Sequence, residues 1–206
     1  TATTTKNSRA STSTTGNAAW LQAISLPVGH TCARLLMSVV QFLVQLEEQP
    51  HQMPLSLKAL LHLRQSLEQA LWTTVEYLST NDDDDSNIKS FSTTAIRLLG
   101  TLLMEVDIWD LMEKEQHDST PQAILECLET ILPTIEQDYS LLPGLVNILG
   151  DPESDSEKQG QLVKHLSEPL VEYLEEFWKR DIGLAERLDD TIPWACTCTE
   201  LWASLE

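Results

Sequence analysis

The chain has 206 residues, 42% of them hydrophobic and 22% charged, which is room and apolar content for a buried core rather than a disordered or fibrous chain. Only 7 Gly and 3 Tyr occur, and no Asn-Gly or Asp-Gly pair separates alternating apolar runs, which excludes hairpin-rich sandwiches and barrels. Acidic residues outnumber basic ones 32 to 13, a formal charge of −19, so a nucleic-acid backbone, which is held by clustered Lys and Arg, is excluded as a partner and basic proteins are favoured.

Residues 1–19 contain ten Ser or Thr and no large apolar side chain, and are predicted to be a disordered low-complexity segment. Residues 20–206 are predicted to form one helical domain. Trp20, Leu21, Ile24 and Leu26 open it, and Pro27-Val-Gly-His reads as a break. From Thr31 to Glu47, Leu35, Leu36, Val39, Val40, Phe42, Leu43 and Leu46 recur at helical spacing and predict a largely buried helix. Leu57, Leu60, Leu61, Leu67, Leu71, Val75 and Leu78 define an amphipathic helix with Lys58, Arg64 and Glu68 on its other face. Asn81 to Asn87, which contains Asp82, Asp83, Asp84 and Asp85, must then be a loop, because adjacent carboxylates repel. Phe91, Ala95, Leu98, Leu102, Val106 and Trp109 step by four, three, four, four and three residues, a single stripe. Ser119-Thr120-Pro121 combines a hydroxyl cap with Pro in a first turn and starts a helix burying Ile124, Leu128, Ile131 and Ile135. A shorter helix runs from Leu141 to Leu149, and Asp151 to Glu157 reads as a second acidic loop. Leu162, Val163, Leu166, Leu170, Leu174 and Phe177 continue the pattern, with Pro169 predicting a new helix start at Ser167 to Pro169. A last helix runs from Thr191 through Trp202. The fold class is therefore all-α, with seven or eight helices. Each leaves an apolar stripe for a neighbour to cover, the logic of a helical solenoid.

The residues offer little chemistry of the catalytic or metal-binding kind. His30, His51, His62, His117 and His165 are dispersed, and no glycine-rich phosphate loop or Gly-x-Ser-x-Gly elbow occurs. Cys196 and Cys198 point about 200° apart on a helix, which spoils a zinc knuckle. The Asp82–Asp85 run lacks the Gly and the twelfth-position Glu of an EF-hand. Neither an enzyme, a metal nor a cofactor is expected. The serines of Asp151–Glu157 sit in an acidic context suited to phosphorylation. Four scattered cysteines, Cys32, Cys127, Cys196 and Cys198, fit reduced thiols and a cytoplasmic location. The longest apolar run, Leu35 to Leu46, is interrupted by Ser38, Gln41 and Gln45, so no transmembrane segment is expected. The chain opens on Thr without a leader and stops inside a helical pattern at Leu205-Glu206, and so reads as a partial chain. The candidate partner-binding residues are Glu172, Glu175 and Glu176 with the Phe177-Trp178 pair, carboxylates around an aromatic anchor suited to a basic amphipathic segment. The same pattern also describes an exposed helix face laced with i, i+4 pairs such as Glu175–Lys179 and Glu176–Arg180.

Several blocks resemble the neurochondrin family in order. They are Val75-Glu-Tyr-Leu, then Ala95-Ile-Arg-Leu-Leu-Gly-Thr-Leu-Leu-Met-Glu with Phe91 ahead of it, then Leu141-Leu-Pro-Gly, then Leu162-Val-Lys-His-Leu-Ser-Glu-Pro-Leu-Val-Glu-Tyr-Leu-Glu-Glu-Phe-Trp. The last block is also similar to an armadillo boundary. The resemblance spans roughly residues 32–206 and implies an armadillo-like helical solenoid. It further implies a non-enzymatic protein-protein interaction scaffold of neurons, regulating the calcium/calmodulin-dependent kinase pathway and neurite outgrowth. The Asp82–Asp85 loop and the Ser/Thr-rich start have no place in the family pattern, and its palmitoylated cysteines have no counterpart here. The charge of −19 motivates an alternative, an acidic helical chaperone or transport adaptor for basic cargo.

Overall fold

The computed structural model describes residues 28–43, 55–80, 86–113, 120–135, 138–150, 155–180 and 191–205. Segment 1–19, Trp20, His51, Asp82–Asp85, His117, the first part of the second acidic loop and the side chain of Phe91 lie outside the described residues. Within them the protein is all-α: eight α-helices and one 3-10 turn, with no strand. Helix α1 covers 28–43, α2 Leu57–Thr80, α3 Ser86–Glu105, α4 Ile108–Glu113, α5 Thr120–Ile131, α6 Leu142–Gly150, α7 Ser156–Arg180 and α8 Thr191–Leu205.

Short polar side chains start the helices. Ser56 Oγ accepts from the Ala59 N–H at 3.3 Å, Asp107 Oδ1 from the N–H groups of Trp109 (2.8 Å) and Asp110 (3.2 Å), and Asp155 Oδ1 from that of Glu157 (2.9 Å). Each satisfies a first-turn donor that the helix itself leaves unpaired. Two helix ends are closed differently, by side chains from elsewhere in the stack. Asn147 Nδ2 on α6 donates to the Leu103 carbonyl in the last turn of α3 at 2.8 Å. The Trp109 indole N–H on α4 donates to the Ile148 carbonyl in the last turn of α6 at 3.1 Å.

The helices lie in two tiers. In one, α2 packs on α5 and α5 on α7; in the other, α3 packs on α6 and α6 on α8. Cross-contacts of α2 with α3 and of α7 with α8 join them. A single apolar cluster runs from Ala33 on α1 to Trp202 on α8, with Leu99, Leu102 and Leu103 of α3, Leu145 of α6 and Leu166 and Leu170 of α7 wholly buried. Each such side chain contributes roughly 1.5–3 kcal/mol of burial free energy. Within the second tier α3 and α6 cross closely, because Gly144 comes against Gly100 and Leu103.

Several boundaries differ from the sequence expectation: α3 starts at Ser86 and α7 at Ser156, each inside an expected acidic loop, 81–87 and 151–157. Helix α7 is unbroken with Pro169 inside it, so no new helix starts at Ser167 to Pro169. Proline forfeits a hydrogen bond there, at about 3 kcal/mol, but Leu162, Leu166, Leu170 and Phe177 on both sides of it are wholly buried and hold the axis continuous. The Phe91–Trp109 stripe is divided at Val106-Asp107, where the Asp107 cap opens α4. Helix α5 ends at Ile131, followed by a 3-10 turn over Leu132–Thr134, and Ile135 is extended and half-buried rather than helical. Helix α1 also includes Val28, Gly29 and His30, where a break was expected; Thr94 Oγ1 of α3 lies 2.9 Å from His30 Nδ1 and anchors that turn. The helix is not largely buried: of its residues 28–43 only Ala33 and Val40 are, while Leu35 and Phe42 are exposed.

Candidate protein-binding surface

Charge is unevenly divided between the tiers. Helices α2, α5 and α7 together carry fifteen charged residues, whereas α3, α6 and α8 carry four, and α6 has none. The α2–α5–α7 tier is therefore the more densely charged, with nine acidic and six basic side chains.

The five candidate residues all lie on α7, in two environments. Glu172, Glu175 and Glu176 are exposed. Lys179 Nζ lies 2.8 Å from Glu175 Oε2, and this contact holds the Glu175 carboxyl below the usual carboxylate range and the Lys179 ammonium above its own. Both groups are fully solvated, so the pair stabilises the fold little. Phe177 instead has no exposed surface, and its ring meets Tyr139 edge-on with centroids 4.7 Å apart. Trp178 is 37% exposed, stands edge-on to Phe177 at 5.0 Å, and donates its indole N–H to Thr199 Oγ1 of α8 at 3.3 Å. Three carboxylates and Trp178 thus reach solvent, while Phe177 is the packed support beneath the indole. The side chain of Arg180, the predicted partner of Glu176, lies outside the described residues.

Other polar groups serve the packing. Arg64 joins α2 to α4 through Asp110 at 2.9 Å and also bonds Glu68 at 3.1 Å; these carboxylates, Asp110 foremost, raise its already high pKa. Arg97 meets Asp138 at 3.0 Å. His165 is buried, with Nδ1 2.7 Å from Glu129 Oε2, and ties α7 to α5. The Tyr173 hydroxyl donates to the Asp138 carbonyl at 3.0 Å, and burial, reinforced by Asp138, raises its pKa. Apart from Arg64–Glu68, which is an i, i+4 pair, sequence periodicity missed these partners because they lie 35 to 46 residues apart.

Cys127 and Cys198 are buried and Cys32 and Cys196 exposed, so the C-x-C pair is divided between core and solvent. Burial pushes the Cys127 thiol up, and that of Cys198 from 9.0 to about 12. An apolar cleft of about 470 Å³ between α1, α2 and α3 is lined by Ala33, Leu36, Ala70 and Leu98, among others. Among the described residues no group of three His, Cys, Asp or Glu could hold a metal ion, and no helix is long and apolar enough to cross a membrane.

No protein-family model matches the chain, and no match was found among curated proteins or solved structures.

Proposed function

We propose that this protein is a non-enzymatic scaffold whose stacked helices form an armadillo-like solenoid that holds partner proteins through the α2–α5–α7 tier. The observation that carries the reading is the concentration of charge on that tier, fifteen charged residues against four. The alternation of helices between two tiers supports the solenoid. Within the tier, Glu172, Glu175, Glu176 and Trp178 are the contact residues, suited to a Lys- or Arg-rich amphipathic segment. The ordered blocks that resemble neurochondrin support a role for such a scaffold in the cytoplasm of neurons, in calcium/calmodulin-dependent kinase signalling and neurite outgrowth.

A basic amphipathic peptide titrated against the native chain and a Glu172→Lys, Glu175→Lys, Glu176→Lys variant tests the reading. The variant should lose at least about tenfold in affinity while keeping its helical circular dichroism. Equal affinity removes the α7 patch. Repeating the titration at high salt separates the scaffold from the alternative, an acidic carrier of basic cargo motivated by the charge of −19. The carrier's affinity collapses as the Debye length shrinks to about 3 Å at 1 M, and a scaffold that also uses apolar contact retains part of its own.

A further inference from the structure

A groove of about 460 Å³ separates α2 from α5 on the charged tier. On α2, Trp72, Glu76 and Thr80 follow one another at i, i+4 along its wall, and on α5 Glu126 and Thr130 do the same opposite them. Its floor is Val75, Ala123 and the buried Cys127. Glu76 and Glu126 are exposed, and neither forms an ion pair among the described residues. Gln122 donates to Glu126 Oε1 at 2.8 Å, which orients that carboxylate without neutralising it. Trp72 is half-buried, with part of its ring area left to solvent. The groove also takes in the last turn of α2, the negative end of that helix's dipole, which contains no basic side chain.

These features attract one chemistry. An aromatic ring, a carboxylate on each wall and the carbonyl end of a helix all favour a cation, and the apolar floor favours one that carries a methylene stem. The α7 patch differs, because there Lys179 already occupies Glu175. We infer that the α2–α5 groove, built by Trp72, Glu76 and Glu126, receives an arginine or lysine side chain from the basic segment of a partner protein. The inference rests on the scaffold reading and supplies a definite socket within the tier.

The test uses the whole chain with nitrogen-15 in its tryptophans and, as probe, a capped peptide of alternating Arg and Ala. Binding is followed by calorimetry and by the Trp72 indole resonance, assigned by its loss in Trp72→Phe. The Trp72 signal should shift saturably, and Glu76→Gln with Glu126→Gln should weaken binding by at least about tenfold. A citrulline-for-arginine peptide should not bind, and Glu172→Lys, Glu175→Lys, Glu176→Lys should leave the Trp72 shift in place. Calorimetric binding with an unmoved Trp72 signal, or unaltered affinity in the double Gln variant, overturns the groove and leaves the scaffold standing. No binding by either method overturns the groove and the basic partner together.

Discussion

At Gly144 there is no room for another carbon atom. A Cβ there would stand 2.7 Å from the Leu103 Cβ and 2.9 Å from the Gly100 carbonyl oxygen, and a Cβ at Gly100 would overlap the Ser140 carbonyl. Gly160 lies within α7 with nothing inside 4 Å of the position its Cβ would take. The two positions should therefore respond oppositely to one substitution. Gly144→Ala should destabilise by about 1–3 kcal/mol through overpacking, and Gly160→Ala should stabilise by about 0.5–1 kcal/mol through helix propensity. Thermal melts read these as shifts of about 2–4 °C per kcal/mol for a chain of this size. The buried Cys198 thiol gives a second residue-scale expectation. Its folded pKa is raised from 9.0 to about 12, so the stability it contributes is complete below pH 9 and drains away as pH climbs toward 12. Tyr173 adds in the same direction above about pH 10, where an unfolded tyrosine begins to ionise. Urea midpoints should fall between pH 8.5 and 11, and Cys198→Ala should flatten that fall; an equal slope in the variant would move the alkaline loss to other groups.

At the scale of elements, Trp109 shows how a short helix is held. Helix α4 covers only Ile108–Glu113, too short to be stable alone. Asp107 caps its start, Trp109 is buried, and the indole N–H reaches the end of α6 while Lys158 Nζ of α7 lies 5.7 Å from the ring centroid. Trp109→Phe keeps an aromatic ring but leaves the Ile148 carbonyl without that donor, and should cost about 1–3 kcal/mol in urea unfolding. A neutral result would assign Trp109 to packing alone. The helices themselves were legible in the sequence because apolar spacing near 3.6 reports which face each must bury, and Leu98, Leu102, Leu166 and Leu170 are buried as that spacing requires. Breaks were less legible. Pro169 argues locally for an end, and burial on both sides overrides it; Asp107 argues only weakly for a start, and its carboxylate makes one. The candidate site was legible in part. Acidic spacing identified the exposed face of α7 and apolar spacing set Phe177 on the buried stripe, but the ring that packs on it, Tyr139, lies thirty-eight residues away and no local pattern shows it. Trp72, Glu76 and Glu126 meet only through the packing of α2 on α5, which no local pattern encodes.

At the scale of the whole molecule, the two tiers face different solvents in effect: one surface is charged, and the other is nearly bare of charge across α3, α6 and α8. Salt should therefore act on partner binding far more than on folding, since the core is apolar and its ion pairs, such as Lys179–Glu175, are solvent-screened. Melting temperature measured from low to high sodium chloride should change by only a few degrees, and a collapse at either end would show that charge carries the fold as well. The cross-helix closures have a further consequence. Asn147 of α6 completes the end of α3, and Trp109 of α4 completes the end of α6, so neither α3 nor α6 owns all the groups that finish it. In a linear array whose units were self-sufficient, an opening at one end could stop at the next boundary. Here an opened neighbour strips the adjacent helix of its terminal donor, and the boundary becomes a coupling rather than a firebreak. Calorimetry should accordingly show one transition with matching calorimetric and van't Hoff enthalpies, and Asn147→Ala should broaden it before abolishing it, because it severs one link while both units remain otherwise intact.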